Sequence, residues 1–264
     1  MRHKKNKKVL LSIAGSDNTS GAGVQCDVKT SLTLNAYCVN CITSVTSQSS
    51  NGVRQIVNIP EKVIVSQLIT ILNEFNIDCI KIGLFRSYTS VLSTISILKK
   101  FKVKVPIVID PIYRSTSKTN FLKKEIYLKI HKVFAQLNPI FTPNIDELKI
   151  LLNISECNDI DENLLIHKFY KKYKSNVILT GVNKNGFYST DYVLDENLKI
   201  KKISSKRVVS NNTHGSGCVF SSSLAIYLAM GKSLFEALKL SKKYTSKAIL
   251  NSPILGIGYG PVGH

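Results

Sequence analysis

The sequence predicts a doubly wound α/β fold, a mainly parallel sheet with helices on both faces. Three observations carry that prediction. Six short, largely apolar runs are bounded by Gly, Pro or polar turns, as strands buried on both faces are. Amphipathic stretches of helical length separate them, so strand and helix alternate along the chain. Polar or glycine-rich turns follow several of the runs, and in an open parallel sheet these share one edge, beyond the carboxyl ends of the strands. The chain has 264 residues and no Gly/Ser- or Pro-rich linker. Residues 1–264 are therefore expected to form one domain that buries its own core.

The first expected strand, residues 9–14, runs into Gly15-Ser16-Asp17 and a helix over 24–34. The second, 39–45, ends at Thr46-Ser47-Gln48 and precedes a helix over 62–75. Strands over 79–84 and 105–110 alternate with helices over 89–101 and 123–134, and the turn after the latter strand is Asp110-Pro111. Pro143 stops a strand over 140–143. Asn144 then caps a helix over 145–152, with Glu147 three residues on to complete a capping box. A helix over 164–173 leads to a strand over 177–180. Residues 186–205 alternate polar and apolar around Asp195-Glu196-Asn197, which predicts a hairpin antiparallel to the main sheet. Helices over 217–229 and 234–250 follow, separated by Gly231-Lys232.

Composition narrows the function. Hydrophobic residues make up 44% and charged residues 20%, which excludes disorder, collagen and coiled coil for the whole chain. No run of about 18 apolar residues is present, so no membrane-spanning helix is expected. The basic start, with Lys4, Lys5, Lys7 and Lys8, lacks the apolar core of a secretory leader, which predicts a cytoplasmic protein. Net charge is +19, yet only five of the 36 basic residues are arginine (Arg2, Arg54, Arg86, Arg114 and Arg207). Scattered lysine beside abundant Asn and Ile reads as coding bias rather than as a nucleic-acid face. Cys38 and Cys41 have zinc-like spacing but no second ligand pair, and Cys26, Cys79, Cys157 and Cys218 complete no framework.

Three segments carry chemistry. Residues 211–218, NNTHGSGC, place two glycines around a serine just before an apolar helix, opening backbone N–H groups toward an anion. Cys218 sits in that turn, where a helix N-terminus is expected to lower a thiol pKa. His214 is near the motif and is read as a packing residue. Residues 15–27, GSDNTSGAGVQCD, read equally as a phosphate cradle or a plain turn, since the chain has no P-loop signature. The only G-x-G-x-x-G, at Gly258, Gly260 and Gly263, precedes no helix. Asn144 and Glu147, with Asp110 at a strand end, are the oxygen donors expected to face a magnesium–phosphate cluster.

Taken in order, the motifs resemble those of the bacterial hydroxymethylpyrimidine/phosphomethylpyrimidine kinases of thiamine biosynthesis, members of the ribokinase-like superfamily. Residues 13–30 read IAGSDNTSGAGVQCDVKT, 43–49 TSVTSQS and 81–85 KIGLF. V-x-D-P, T-P-N-x-x-E and N-T-H-G-x-G-C follow at 108–111, 142–147 and 212–218, and the tail GIGYGPVGH ends the match. The resemblance implies a three-layer α/β/α sandwich, usually a homodimer, using ATP and magnesium. It implies phosphorylation of 4-amino-5-hydroxymethyl-2-methylpyrimidine to the monophosphate and then the diphosphate.

Carried over by position, Asp27 and Gln48 would bind the pyrimidine near Gly15, Thr46, Leu84 and Ile112. Asn144, Thr180, Gly181 and Thr213 would bind nucleotide, and Asp110 and Glu147 the metal. Gly215, Ser216 and Gly217 would form the anion hole, and Cys218 would stand where sugar-kinase relatives have a catalytic aspartate. Leu84 replaces a methionine, Thr46 a usually apolar residue, and Thr180 a lysine near the nucleotide phosphates, with Lys184 the candidate substitute. Two other readings remain: a pyridoxal/pyridoxine-type vitamin kinase of the same fold, and a basic nucleic-acid-binding domain.

Overall fold

The computed structural model describes residues 7–115, 119–155, 161–183, 186–195 and 197–264. Arg2, Lys4, Lys5, Cys157, Lys184 and Glu196, all named above, lie outside the described residues. The elements run β1 (Val9–Asp17), α1 (Gly23–Thr33), β2 (Tyr37–Ser49), β3 (Gly52–Asn58), α2 (Glu61–Glu74), β4 (Cys79–Ile82), α3 (Tyr88–Lys100) and β5 (Ile107–Ile109). They continue α4 (Lys124–Phe134), β6 (Ile140–Phe141), α5 (Ile145–Leu152), α6 (Glu162–Tyr173), β7 (Asn176–Val182), β8 (Tyr188–Leu194), β9 (Ile200–Lys206), α7 (Ser216–Ala229) and α8 (Leu234–Leu250).

The strands form one sheet in the order β3-β2-β1-β4-β5-β6-β7-β8-β9. Neighbours from β2 through β7 are parallel, as the buried apolar runs require. The expected hairpin is β8–β9, antiparallel to β7. Sequence reading missed β3, which pairs antiparallel with β2 at the far edge. Its side chains are all at least partly exposed, so neither an apolar run nor a clean alternation marks it.

Successive side chains of a strand point to opposite faces. Leu10, Cys79, Val108 and Ile178 accordingly pack beneath α7 and α8. Leu11, Ile80, Ile109 and Leu179 pack beneath α2 through α6. The result is a three-layer α/β/α sandwich. Cys38 and Cys41, three apart on β2, fall into these opposite cores and cannot share one ion.

Helix α7 lies directly against the sheet, and every residue from Cys218 to Ile226 is buried. Its three consecutive serines are buried because each has a partner: Ser221 Oγ donates to Asp110, Ser222 Oγ to Asp27 and Ser223 Oγ to the Phe220 carbonyl. No described helix is long and apolar enough to cross a membrane.

Candidate active site

A cavity of about 590 Å³ opens at the carboxyl edge of the parallel strands. Gly15, Thr46, Leu84, Asp110, Thr142 and Thr180, each at or just past the end of a different strand, line it. So do Gln48, Ile112, Asn144, Glu147, Thr213, Gly215, Ser216, Gly217 and Cys218. Most of the candidate residues from sequence thus line one cavity.

Two of its residues do not line the cavity. The Asp27 side chain is fully buried on α1. Its carboxylate takes the Lys81 ammonium at 3.0 Å and hydrogen bonds from Ser12 (2.5 Å) and Ser222 (2.6 Å), so it has no reach toward a pyrimidine. Gly181, at φ +65°, sits in a bulge where β7 leaves its register with β8, and its N–H donates to Asp191 Oδ1 at 2.8 Å. Thr180 therefore reaches the cavity and Gly181 does not.

The base-facing end is built from β1, β2 and their turns. The Asn18 side chain brackets Gln48, accepting from its N–H at 2.8 Å and donating to its carbonyl at 3.0 Å. A bulge between Ser47 and Gln48 breaks the alternation with β3 at this point. Gln48 offers both a donor and an acceptor to a ring nitrogen beside an exocyclic amine. Gln48→Leu is expected to weaken pyrimidine binding by about 1–3 kcal/mol, the usual cost of an unpaired buried polar group. Nucleotide affinity should be retained, and calorimetric titration with each ligand checks both halves of that expectation.

Sequence reading passed over Asp17 and His214, which tie the two glycine-rich segments together. His214 Nε2 lies 2.8 Å from Asp17 Oδ2, and the same carboxylate accepts from the backbone N–H groups of Thr19 and Ala22. Burial would raise the Asp17 carboxyl, but hydrogen bonds from His214, Gln48 and Thr19 outweigh it and hold the group well below the usual carboxylate range. Close approach explains the glycines. A Cβ on Gly215, at φ +88°, would come 1.8 Å from the Gly21 carbonyl oxygen. Gly215 in turn caps the start of α7, whose first residues, Ser216, Gly217 and Cys218, line the cavity; the Ser216 N–H donates to the Thr213 carbonyl at 3.1 Å.

The opposite end holds the carboxylates. Asn144 and Glu147 form the expected capping box, each side chain accepting from the other's backbone N–H at 3.0 Å. Glu147 Oε1 also accepts from the Tyr113 N–H at 3.4 Å. Burial first, and the charge of Asp110 second, push the Glu147 carboxyl up to about 8. Burial also raises Asp110, against the charge of Lys81 and hydrogen bonds from Ser221 and Cys218. Two carboxylates that destabilise each other's charge beside the cavity fit a cation such as magnesium. That ion characteristically takes only one or two protein carboxylates and completes its shell with phosphate and water.

Cys218 lies at the cavity end of α7, as expected, but its thiol is not activated as the sequence suggested. Burial, only partly offset by Lys81 and reinforced by Asp110 and Asp27, pushes it up to about 12. The helix terminus does not overcome that desolvation. At pH 8 the side chain is a neutral thiol, so iodoacetamide followed by peptide mapping should leave Cys218 unmodified; ready alkylation would contradict this.

A family model described as phosphomethylpyrimidine kinase matches residues 17–263. The hydroxymethylpyrimidine/phosphomethylpyrimidine kinase of Haemophilus influenzae is 32% identical over 98% of this chain and 97% of its own length. The chain spans about half the length of two longer thiamine-biosynthesis bifunctional proteins that it also matches. Among solved structures, a Bacillus subtilis pyridoxal kinase in an ADP complex superposes with a TM-score of 0.88 at 27% identity, over 98% of both chains. A phosphomethylpyrimidine kinase from Clostridium difficile gives 0.78 at 30% identity, over 92% of this chain and 100% of its own.

Proposed function

Because the chain belongs to the phosphomethylpyrimidine kinase family, we propose that residues 1–264 act as one ATP-dependent kinase domain of thiamine biosynthesis. It phosphorylates 4-amino-5-hydroxymethyl-2-methylpyrimidine to the monophosphate and then to the diphosphate. The observation that carries the reading is one cavity lined by Gln48, by the α7 N-terminus with Cys218, and by Asp110 and Glu147. In this reading the enzyme uses magnesium and works as a homodimer, as the family resemblance implies, and is placed in the cytoplasm.

The chemistry is phosphoryl transfer by positioning and charge neutralisation. Gln48 fixes the pyrimidine so that its hydroxymethyl group points to the floor. In the Gly215–Gly217 turn, the backbone N–H groups of Gly215 and Gly217 meet the charge that grows on the transferred oxygens, the Ser216 N–H being held by the Thr213 carbonyl. Asn144, Thr180 and Thr213 line the nucleotide's side. Asp110 and Glu147 would hold magnesium, which supplies charge neutralisation for the phosphates.

The hydroxyl proton needs an acceptor as the new P–O bond forms and the bond to ADP breaks. A neutral thiol accepts only if its own proton moves on. Asp110 lies beside Cys218, and in this reading the substrate proton passes to Sγ while the thiol proton passes to the carboxylate.

A pyridoxal-type activity is the second reading, favoured by the 0.88 superposition on a pyridoxal kinase. Measuring kcat/KM for the hydroxymethylpyrimidine and for pyridoxal side by side separates the two. The proposal expects a clear preference for the pyrimidine, and a preference for pyridoxal would reverse the assignment.

A further inference from the structure

A bulge shapes the cavity wall at the β7 end. Leu179 pairs with Tyr192 and Val182 with Thr190, so two residues of β7, Thr180 and Gly181, stand opposite one residue of β8, Asp191. The extra residue shows in the packing. Leu179 and Val182 are three apart yet both belong to the core beneath α2 through α6, which an unbroken alternation forbids. The left-handed φ of +65° falls on Gly181, the residue type that adopts it without strain. Thr180 is thereby brought to the cavity beside Asn144, with which it forms a parallel bridge.

Asp191 holds this bulge from outside the cavity. Its carboxylate is buried, and Oδ1 accepts from the Gly181 N–H at 2.8 Å. Oδ2 lies 2.9 Å from the ammonium of Lys242 on α8, itself buried, which also reaches Ser189 Oγ at 3.4 Å. Neither Asp191 nor Lys242 lines the cavity. Burying such a pair costs solvation that two apolar side chains would not. The other flank of the bulge is tied to the turn before α5: the Thr180 N–H and Oγ1 donate to the Pro143 carbonyl at 2.9 and 3.2 Å. Thr180 is thus gripped from two sides, through Pro143 on one and through Gly181 and Asp191 on the other.

We propose that Asp191, oriented by Lys242, is a positioning residue for the nucleoside triphosphate: by holding the Gly181 peptide it fixes Thr180 in the nucleotide-side wall. The inference rests on the kinase reading of the cavity. It adds to that reading a buried charged pair on β8 and α8 that acts on nucleotide binding without touching the ligand.

Two double variants that differ only in the acceptor offered to Gly181 test this. Asp191→Asn with Lys242→Met removes both charges and keeps an amide oxygen for the Gly181 N–H. Asp191→Leu with Lys242→Met removes both charges and that oxygen as well. A buried ion pair replaced by uncharged side chains of similar volume is tolerated, so both variants are expected to fold. The full chain is titrated with the ATP analogue AMP-PCP and magnesium, in the absence of any alcohol substrate. The second variant is expected to bind about 5–30-fold more weakly than the first, the range for one buried donor left unpaired. KM for ATP should separate the two by a similar factor, while KM for the pyrimidine should not. Equal AMP-PCP affinities, or an equal change in both KM values, overturn the proposal. Hydrogen exchange on the parent protein needs no variant. Gly181 does not line the cavity, so AMP-PCP should slow exchange of its amide only if nucleotide binding and the bulge are coupled. Unchanged exchange at saturation overturns the proposal. A parent protein that binds no AMP-PCP contradicts the kinase reading itself, whereas one that binds it while the two variants match contradicts the role of Asp191 alone.

Discussion

Replacing Cys218 with alanine is expected to lower turnover by about 10²–10⁴-fold at saturating ATP and pyrimidine, the usual worth of general acid–base catalysis. Affinity for both substrates should change little, because the anion hole is backbone and Gln48 is untouched. Cys218→Ser distinguishes the relay from a thiolate base. A hydroxyl can accept from the substrate and donate to Asp110, so serine should retain clearly more activity than alanine. If a pre-formed thiolate were the base, serine would be as inactive as alanine. An alanine variant with near-parent turnover would leave Cys218 as a small residue packing the start of α7, the role its burial among Cys26, Val219 and Ala248 would otherwise suggest.

Asp27→Ala is expected to destabilise the protein by about 3–5 kcal/mol, because it leaves the buried Lys81 ammonium without its counter-charge. The two side chains are fully inaccessible and 54 positions apart in sequence. Ser12 and Ser222 lose their acceptor in the same change. Thermal or denaturant unfolding reads the loss directly. At a temperature where the variant is still folded, pyrimidine KM should stay close to the parent value. A raised KM with unaltered stability would instead restore Asp27 to the base-binding role that its motif implied.

Asp27 shows where sequence reading stops. The order of motifs placed residue 27 beside the first glycine-rich turn, which is correct along the chain. It did not show that the side chain points inward, because that depends on Lys81, a residue from a different strand. The signal was present on the other partner: a lysine inside Cys79-Ile80-Lys81-Ile82, all four residues buried, requires a buried anion. Asp17 and His214 were hidden for the same reason, since their pairing spans 197 positions.

Local features were legible. The helix boundaries from sequence lie within two residues of those observed, since each is set by nearby caps and stops such as Ser233 with Glu236 or Asn144 with Glu147. Strand ends were less so. Strand β4 stops at Ile82 rather than running on to Leu84, and β1 continues through its turn to Asp17. Pairing with neighbours decides such ends, and pairing is not written in one strand's own sequence. The thiol of Cys218 belongs with these misses: the helix N-terminus was visible, but the desolvation that outweighs it comes from the whole fold.

The central claim is that one cavity holds a hydroxymethylpyrimidine against the α7 N-terminus and phosphorylates it in two steps. The most direct measurement is a time course of purified protein with ATP, magnesium and 4-amino-5-hydroxymethyl-2-methylpyrimidine, followed by phosphorus NMR and mass spectrometry. The account predicts the monophosphate first, then the diphosphate at its expense, with both steps stopped by chelation of magnesium. Folded protein that binds ATP yet forms neither product would contradict it.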